Sequence, residues 1–120
     1  MTRIKPPDRR GSWTQKARIG GQSFYLGFGE RADGTLCEIF LTCQKEGTFS
    51  RGVLDSLARM VSAALQSGMP VDEVVKVLIG IRFPPDGEVQ GSLKVDRCVS
   101  VVDWVAKEME AYYSQKEDEQ

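Results

Sequence analysis

Residues 13–28 read WTQKARIGGQSFYLGF, and this stretch decides the fold. Apolar and polar side chains alternate over residues 13–19, which is typical of a strand with one buried face. Gly20-Gly21 supplies the positive φ angles of a tight hairpin turn, and the apolar face then continues on a return strand. A second alternation over Leu36–Cys43 predicts a third strand. The sequence therefore predicts a three-stranded antiparallel meander.

Beyond the meander, the apolar residues recur at helical spacing. A polar connector over residues 44–49 precedes Ser50, whose side chain is of a type that often caps a helix N-terminus. The first helix is predicted to end at Gly68, and a second, short helix follows between Pro70 and Gly80. The predicted apolar faces of these two helices comprise Val53, Leu54, Leu57, Met60, Val61, Ala64 and Leu65, then Val71, Val74, Val75 and Leu78.

The last third of the chain predicts one loop and one helix. Residues 82–91 contain Pro84-Pro85-Asp86-Gly87, which indicates an irregular loop or a wide turn. A last helix is expected to begin near Ser100, which forms a capping-box-like pair with Asp103. Its predicted buried residues are Val101, Val102, Val105, Met109 and Tyr112. The predicted class is α+β, in which a three-stranded antiparallel meander packs against three helices in the order β-β-β-α-α-loop-α.

The 120 residues fit one domain, and 41% of them are hydrophobic, enough to form a modest core. Residues 1–11 are basic and proline-rich and are predicted to form a flexible arm. Residues 12–113 are predicted to form a single α+β domain, and residues 114–120 a charged tail. No apolar run reaches the roughly 20 residues of a membrane span, and no apolar stretch follows the basic start. The sequence therefore predicts a cytoplasmic protein that does not bind membranes.

The ionisable and sulfur-containing residues restrict the chemistry. Sixteen basic and seventeen acidic residues give a formal charge of −1, so no global field attracts nucleic acid or an anionic membrane. The chain has no histidine, the commonest general base and metal ligand. Cys37, Cys43 and Cys98 lack CxxC spacing, which favours buried, reduced thiols over a disulfide framework or a zinc site. The residues predict no metal, no cofactor and no catalysis by this chain alone.

Several strings along the chain resemble one known domain. They are Asp8–Gly11, Thr14–Gly21, Tyr25-Leu26, Gly29-Glu30, Asp33–Thr35, Glu38–Phe40, Lys45–Gly47 with Arg51, Arg82-Phe83 with Gly87, and Val89–Gly91. In this order and spacing they resemble the C-terminal domain of class II ribonucleotide reductases, which depend on adenosylcobalamin (vitamin B12). This domain is often called the TSCPD domain. The resemblance covers residues 8–113, and several strings together are more specific than any one of them.

The resemblance has implications for metal binding and catalysis. Of the motif that gives the domain its name, Ser100 and Asp103 are kept. Val101 and Phe83 stand where some branches of the family carry cysteines of a suspected metal site, so the resemblance implies no metal site. It also implies that the chain reduces no nucleotide unaided. The large catalytic barrel, the radical-forming cysteine and the cobalamin contacts are not among its residues, and Met1 precedes the domain by only a few positions.

The connector before the first helix is the first candidate binding site. Lys45, Gly47, Thr48, Ser50 and Arg51 combine basic and hydroxyl side chains with a helix N-terminus. Unpaired N–H groups and the positive end of the helix dipole favour a phosphate at such a place. The alternative is that Ser50 only caps the helix while Lys45 and Arg51 are solvated surface charges.

Three further basic residues are candidates for the same ligand. Lys16 and Arg18 point away from the predicted core face, and they can flank the same anion if their strand lies near the connector. Alternatively, they belong to the wet face of the sheet. Arg82 lies beside an aromatic residue, where a guanidinium binds a phosphate or stacks on a base. Its alternative is an ion pair with Asp86 or Glu88 that fixes the loop.

The large aromatic residues favour packing over ligand binding. Trp13 lies on the apolar face of its strand, and Trp104 is placed to seal the last helix against the sheet. Both are predicted to be core or oligomer contacts rather than base-stacking platforms. Met109, Tyr112 and Tyr113 suit packing in the same way.

Two functions are compatible with these observations. The resemblance implies an accessory or regulatory subunit of the ribonucleotide reductase system, with a reductase core as partner. The alternative is a separate protein that binds a small nucleotide, such as a viral sponge that sequesters a nucleotide immune signal. Self-association into a homo-oligomer is expected in either case, because helices on one face of a sheet leave its other face and edges available. A ligand pocket shared between protomers is a further hypothesis.

Overall fold

The computed structural model of the chain describes residues 11–44 and 47–114. In chain order its elements are β1 (Gly11–Ile19), β2 (Gln22–Glu30), β3 (Leu36–Cys43), α1 (Thr48–Gln66), α2 (Val71–Leu78), β4 (Gly87–Gln90), β5 (Arg97–Cys98) and α3 (Val101–Tyr113). The α+β class, the antiparallel meander and the three helices are confirmed. The predicted arm, except Gly11, and the predicted tail beyond Ser114 lie outside the described residues.

The sheet has five strands in the order β3-β2-β1-β4-β5, so the prediction of a three-stranded sheet was wrong. Gly87–Gln90, predicted to lie in an irregular loop, pairs antiparallel with the end of β1, and Arg97–Cys98 pairs with it in turn. Only Val89 of β4 is buried, and a strand this short shows no alternation in its sequence. Its pairing satisfies backbone groups at the edge of β1.

The hairpin between β1 and β2 depends on glycine. Gly20 has a φ of +57° and Gly21 a φ of +80°, values that side chains with a Cβ rarely adopt. A Cβ at Gly20 would lie only 2.9 Å from the Cβ of Pro85, so the turn also packs closely against the loop before β4. The hairpin and that loop therefore meet at one end of the sheet.

The helices cover the face of the sheet predicted from its alternation. Ala17, Ile19 and Leu26 are buried in one core cluster together with Leu54 of α1 and Trp104 of α3. None of the described helices combines the length and the apolar character that crossing a lipid bilayer requires.

The prediction for α1 was partly wrong, since two residues assigned to its apolar face, Val53 and Met60, are exposed.

Side chains of α1 also cover the outer edge of β3. The Ser62 hydroxyl accepts a hydrogen bond from the Ile39 backbone N–H at 2.9 Å and donates to the Ile39 carbonyl at 3.2 Å. The Gln66 amide donates to the Cys37 carbonyl at 3.0 Å. Three backbone groups that this edge strand would otherwise offer to another chain, at Cys37 and Ile39, are therefore paired within the domain.

The start of α3 was predicted accurately. Ser100 is its N-cap, and the Ser100 hydroxyl accepts a hydrogen bond from the Asp103 backbone N–H at 2.9 Å. The Asp103 carboxylate accepts from the backbone N–H groups of Gly80 at 2.8 Å and Val99 at 2.9 Å. The turn after α2 and the end of β5 are thereby tied to the first turn of α3.

The two tryptophans pack as predicted. Trp104 is fully buried, and its ring lies 6.5 Å from that of Phe24. Trp13 is half-buried beside Phe28, with ring centroids 4.8 Å apart, and its indole N–H donates to the Tyr113 hydroxyl at 2.9 Å. The Tyr113 hydroxyl donates to the Glu30 carboxylate, so this cluster holds the end of α3 against the first two strands.

Candidate functional site

The N-cap of α1 is Gly47. The prediction that Ser50 caps this helix was therefore wrong. Gly47 has a φ of +122°, which lets the chain enter the helix at Thr48 and places Ser50 inside the first turn. Among the described residues, no side chain caps this end, and the first turn contains no acidic residue. Its backbone N–H groups and the positive end of the helix dipole are therefore suited to an anion.

The described residues of the predicted connector site lie together at this helix end. Gly47, Thr48 and Arg51 are exposed, and Ser50 is half-buried. Lys45 lies outside the described residues. The local geometry is thus that of an uncapped helix start with hydroxyl and guanidinium side chains around it.

Arg18 lies next to the connector. Its guanidinium donates to the Gly21 carbonyl at 3.1 Å and to the Ser23 hydroxyl at 3.4 Å. With Gln22 and Gln44 it lines a shallow pocket of about 380 Å³. Gln44 is the first residue of the connector, so this end of the connector lies beside Arg18.

Lys16 has a different environment from Arg18. Both side chains are exposed on the face of the sheet opposite the core. The Lys16 ammonium lies 5.6 Å from the centre of the Tyr25 ring, a cation–π contact on this outer face. Lys16 does not line the pocket formed by Arg18 and Gln44.

Arg82 is exposed immediately before the loop that packs against the hairpin. Within the described part of the chain, no ion pair joins it to Asp86 or Glu88, the alternative partners considered from the sequence. The next residue, Phe83, is held by a backbone hydrogen bond from its N–H to the Val99 carbonyl at 2.9 Å. Arg82 therefore projects from an anchored loop.

An apolar groove of about 480 Å³ lies between the first turns of α1 and this loop. Phe49 and Phe83 contribute aromatic rings from its two sides, and Gln22 and Ser50 contribute polar groups. Gln22 also lines the pocket beside Arg18. The groove and the basic pocket are therefore adjacent.

The sequence analysis did not identify the groove. Phe49 was assigned to a polar connector, and Phe83 was considered only as a neighbour of Arg82. The available signal was the presence of aromatic residues in two segments of turn-type composition, one of them followed by Pro84-Pro85. Periodicity cannot show that these two segments meet, because contacts between distant segments depend on the tertiary fold.

The cysteines occupy packing positions. Cys37, Cys43 and Cys98 are buried and carry free thiols, as the sequence predicted. Burial is the main cause of a raised pKa of Cys98. Among residues 11–44 and 47–114, no group of three or more His, Cys, Asp or Glu side chains is arranged to hold a metal ion.

Glu108 is a buried acid that the sequence analysis did not single out. Its Oε2 accepts a hydrogen bond from the Trp104 indole N–H at 2.8 Å. Its Oε1 is buried and has no hydrogen-bond partner among the described residues. Burial raises the pKa of Glu108, and the nearby hydroxyl of Ser92 and the indole of Trp104 offset only part of this rise.

Glu108→Gln is expected to raise the free energy of unfolding by about 1 kcal/mol above pH 7. When the pKa of a carboxyl is higher in the folded than in the unfolded protein, the free energy of unfolding falls as the pH rises above the unfolded-state pKa, here 4.5. The gain from the amide should therefore vanish below pH 4.5. Urea unfolding of both proteins across this pH range measures the difference. The exposed Glu88→Gln is the control, and a Glu108→Gln gain that does not change with pH would contradict the explanation.

Comparisons with known proteins place the sequence among similar sequences. The family described as TSCPD domain matches residues 2–113. The chain is 42% identical over 116 residues to the vitamin B12-dependent ribonucleotide reductase of Bradyrhizobium diazoefficiens, a match to 97% of the chain and 9% of the relative. It is 38% identical over 116 residues to that of Agrobacterium fabrum, again 97% and 9%. The chain thus spans about a tenth of the length of these curated relatives. No solved structure of significant similarity was found.

Proposed function

The chain belongs to the TSCPD domain family, and from this premise we propose that it is a non-catalytic module that binds a small nucleotide. The observation that carries the proposal is the adjacency of an apolar groove and a basic pocket, with Gln22 lining both. A nucleotide has the matching composition, an aromatic base joined to phosphate groups. The ligand would lie across the end of the sheet where the hairpin, the start of α1 and the loop after Arg82 meet.

The groove suits the base. Its volume of about 480 Å³ lies within the range of roughly 300–1,000 Å³ that is typical of small-molecule sites. Phe49 and Phe83 offer rings on which a planar base stacks, and Gln22 and Ser50 offer hydrogen-bonding groups for its edge. These groups would orient the base toward the basic pocket.

The helix start and its basic residues suit the phosphates. The first turn of α1 has neither a cap from a described side chain nor an acidic residue. Arg18 lines the basic pocket, and Arg51 and Arg82 adjoin the groove residues Ser50 and Phe83 in the sequence. Lys45 follows Gln44 of the basic pocket in the sequence. On the other side of the hairpin, Arg18 faces Asp86 and Glu88 across a second pocket, where these carboxylates disfavour an anion. The phosphates would therefore lie on the α1 side.

Replacing Lys45, Arg51 and Arg82 together by alanine is expected to weaken nucleotide affinity about 1,000-fold or more, since charge-assisted hydrogen bonds contribute about 1.5–3 kcal/mol each and about 1.4 kcal/mol is tenfold in affinity. The measurement is titration calorimetry with ATP, dATP and cyclic dinucleotides, after a thermal-shift screen, because a ligand that binds the native state raises its apparent stability. Recovery of each nucleotide unchanged after incubation is expected of a non-catalytic module.

The matched control removes three positive charges elsewhere. Lys76, Lys94 and Arg97 do not line the groove or the pocket beside Arg18, and their replacement by alanine should leave the affinity unchanged. Equal losses of nucleotide affinity in the two triple variants would show that the effect depends only on net charge. Undiminished binding by the first variant would refute the site.

Action together with a reductase core is a second candidate, favoured by the similarity to vitamin B12-dependent ribonucleotide reductases. Mixing the chain with such a reductase, truncated before its own matching domain, tests it by size-exclusion chromatography. A stable complex, with no nucleotide-induced thermal shift of the chain alone, would select this role. A strong shift with a cyclic nucleotide and no complex would instead select the capture of a nucleotide signal.

A further inference from the structure

Gln22 lies at the junction of the groove and the basic pocket. It follows the Gly20-Gly21 turn as the first residue of β2, and it is half-buried. Successive side chains of a strand point to opposite faces, so Gln22 is on the same face as Phe24, the face that the helices cover. Ser23 is on the opposite face, where its hydroxyl accepts a hydrogen bond from Arg18. At Gln22 the covered face of the sheet therefore opens into the groove.

The groove offers a base few polar groups. Apart from the Cys43 thiol, the polar side chains of its described lining are those of Gln22 and Ser50. Neither of these two side chains has a hydrogen-bond partner among the described residues. No charged side chain of the described residues lines the groove. A base that enters it exchanges water for one amide, one hydroxyl and apolar contacts, so each further polar atom of the base that stays unpaired lowers the affinity.

We propose that the groove selects adenine among the bases and that Gln22 is the residue that makes the selection. This inference rests on the proposed function. A glutamine amide presents one acceptor and one donor side by side, which match the N6 amino group of adenine and the ring nitrogen next to it. A two-ring base also covers more of the rings of Phe49 and Phe83 than a pyrimidine does.

Guanine fits this lining less well than adenine. Its O6 and N1–H can pair with an amide, but the N2 amino group on the same edge adds a third polar group. A carboxylate accepts from N1–H and the N2 amino group together, and no carboxylate lines the described part of the groove. Asp86 and Glu88 line the second pocket beside Arg18 instead. Guanine would therefore bury more polar groups than the Gln22 amide pairs.

Calorimetric titration with ATP and GTP tests the selection, because these ligands share the ribose and the phosphates and differ only in the base. ATP is expected to bind about ten-fold or more tightly than GTP, the effect of a good bidentate contact to a base. Gln22→Glu replaces the amide by two acceptors, which match the N1–H and N2 amino groups of guanine. This variant should lose affinity for ATP and bind GTP more tightly than ATP.

Gln44→Glu is the matched control. Gln44 lines the basic pocket but not the groove, so the same added charge should weaken ATP and GTP binding by the same factor. Gln22→Met keeps the length of the side chain and removes both hydrogen-bonding groups without adding a charge. It should abolish the preference for ATP in a protein whose circular dichroism spectrum is unchanged.

The outcomes separate this inference from the proposed function. Equal affinities of the unaltered chain for ATP and GTP would overturn the selection of adenine and leave the nucleotide site standing. A preference for ATP that persists in Gln22→Met would overturn the role of Gln22. Binding of neither nucleotide would refute the nucleotide site itself, and the selection with it.

Discussion

Replacing Asp103 by alanine is expected to lower the free energy of unfolding by about 3 kcal/mol, since each hydrogen bond to a charged acceptor contributes about 1.5–3 kcal/mol and two are lost. The Asp103 carboxylate is buried, accepts hydrogen bonds from the backbone N–H groups of Gly80 and Val99, and lies 3.1 Å from the Lys107 ammonium. Alanine leaves two backbone donors and one ammonium without this acceptor. Chemical denaturation followed by far-UV circular dichroism measures the loss.

Asp103→Asn keeps the shape of the side chain and removes its charge, so it measures the contribution of the charge. Burial alone would raise the pKa of Asp103, but the hydrogen bonds from Gly80 and Val99, together with Lys107, outweigh it and lower the pKa below 3.8. A carboxyl with a lowered folded-state pKa stabilises the protein above its unfolded value and loses this contribution as the pH falls through the folded value. The advantage of the native residue over asparagine should therefore shrink below pH 3.8.

The control for Asp103 is Asp55→Ala, which removes an exposed acid of an i,i+4 pair and should change the stability little. An Asp103→Ala protein as stable as this control would show that the carboxylate does not hold the turn after α2 against α3.

Trp104→Ala is expected to lower the free energy of unfolding by about 3–5 kcal/mol, since it removes a large, fully buried side chain and leaves a cavity between α3 and the sheet. It also removes the indole N–H that donates to Glu108 Oε2. The other oxygen, Oε1, already has no hydrogen-bond partner among the described residues. The pKa of Glu108 should then rise further, and the loss of stability should be larger at pH 8 than at pH 5. Guanidinium chloride unfolding at the two pH values measures this difference.

Trp104→Phe retains most of the apolar contact and removes the hydrogen bond, so its loss should be smaller and show the same pH dependence. Combining it with Glu108→Gln forms a double-mutant cycle that isolates the energy of the Trp104–Glu108 pair. Trp13→Ala is the matched control. Because Trp13 is only half-buried, this variant should lower the free energy of unfolding less than Trp104→Ala. Equal losses at both tryptophans would contradict the assignment of Trp104 to the centre of the core.

The accurately predicted parts of the fold are those that neighbouring residues decide. The hairpin at Gly20-Gly21 requires positive φ angles, and glycine adopts them readily. Ser100 caps α3 through a hydrogen bond to Asp103, three residues along the chain. Alternation over β1 identifies its buried face because successive side chains of a strand point to opposite sides. Each of these signals lies within a few residues.

The candidate site was predictable only in part. The residues around the start of α1 were recognised because a helix end has a sequence signal, although the N-cap proved to be Gly47 rather than Ser50. Their proximity to Arg18 depended on a condition that the sequence did not decide. The groove between Phe49 and Phe83 was missed, because these residues lie on segments that only the folded chain brings together.

By itself, the sequence determined the α+β class, the meander and the approximate helices, since periodicity and residue type encode them locally. The family followed from the resemblance of several strings along the chain and from the match over residues 2–113. Only the tertiary structure decided that Gly87–Gln90 extends the sheet, that Val53 and Met60 remain exposed, and that Glu108 is buried. The physical reason is the same in each case. Pairing and burial depend on which distant surfaces meet and how far each extends, and such information is spread over the whole chain.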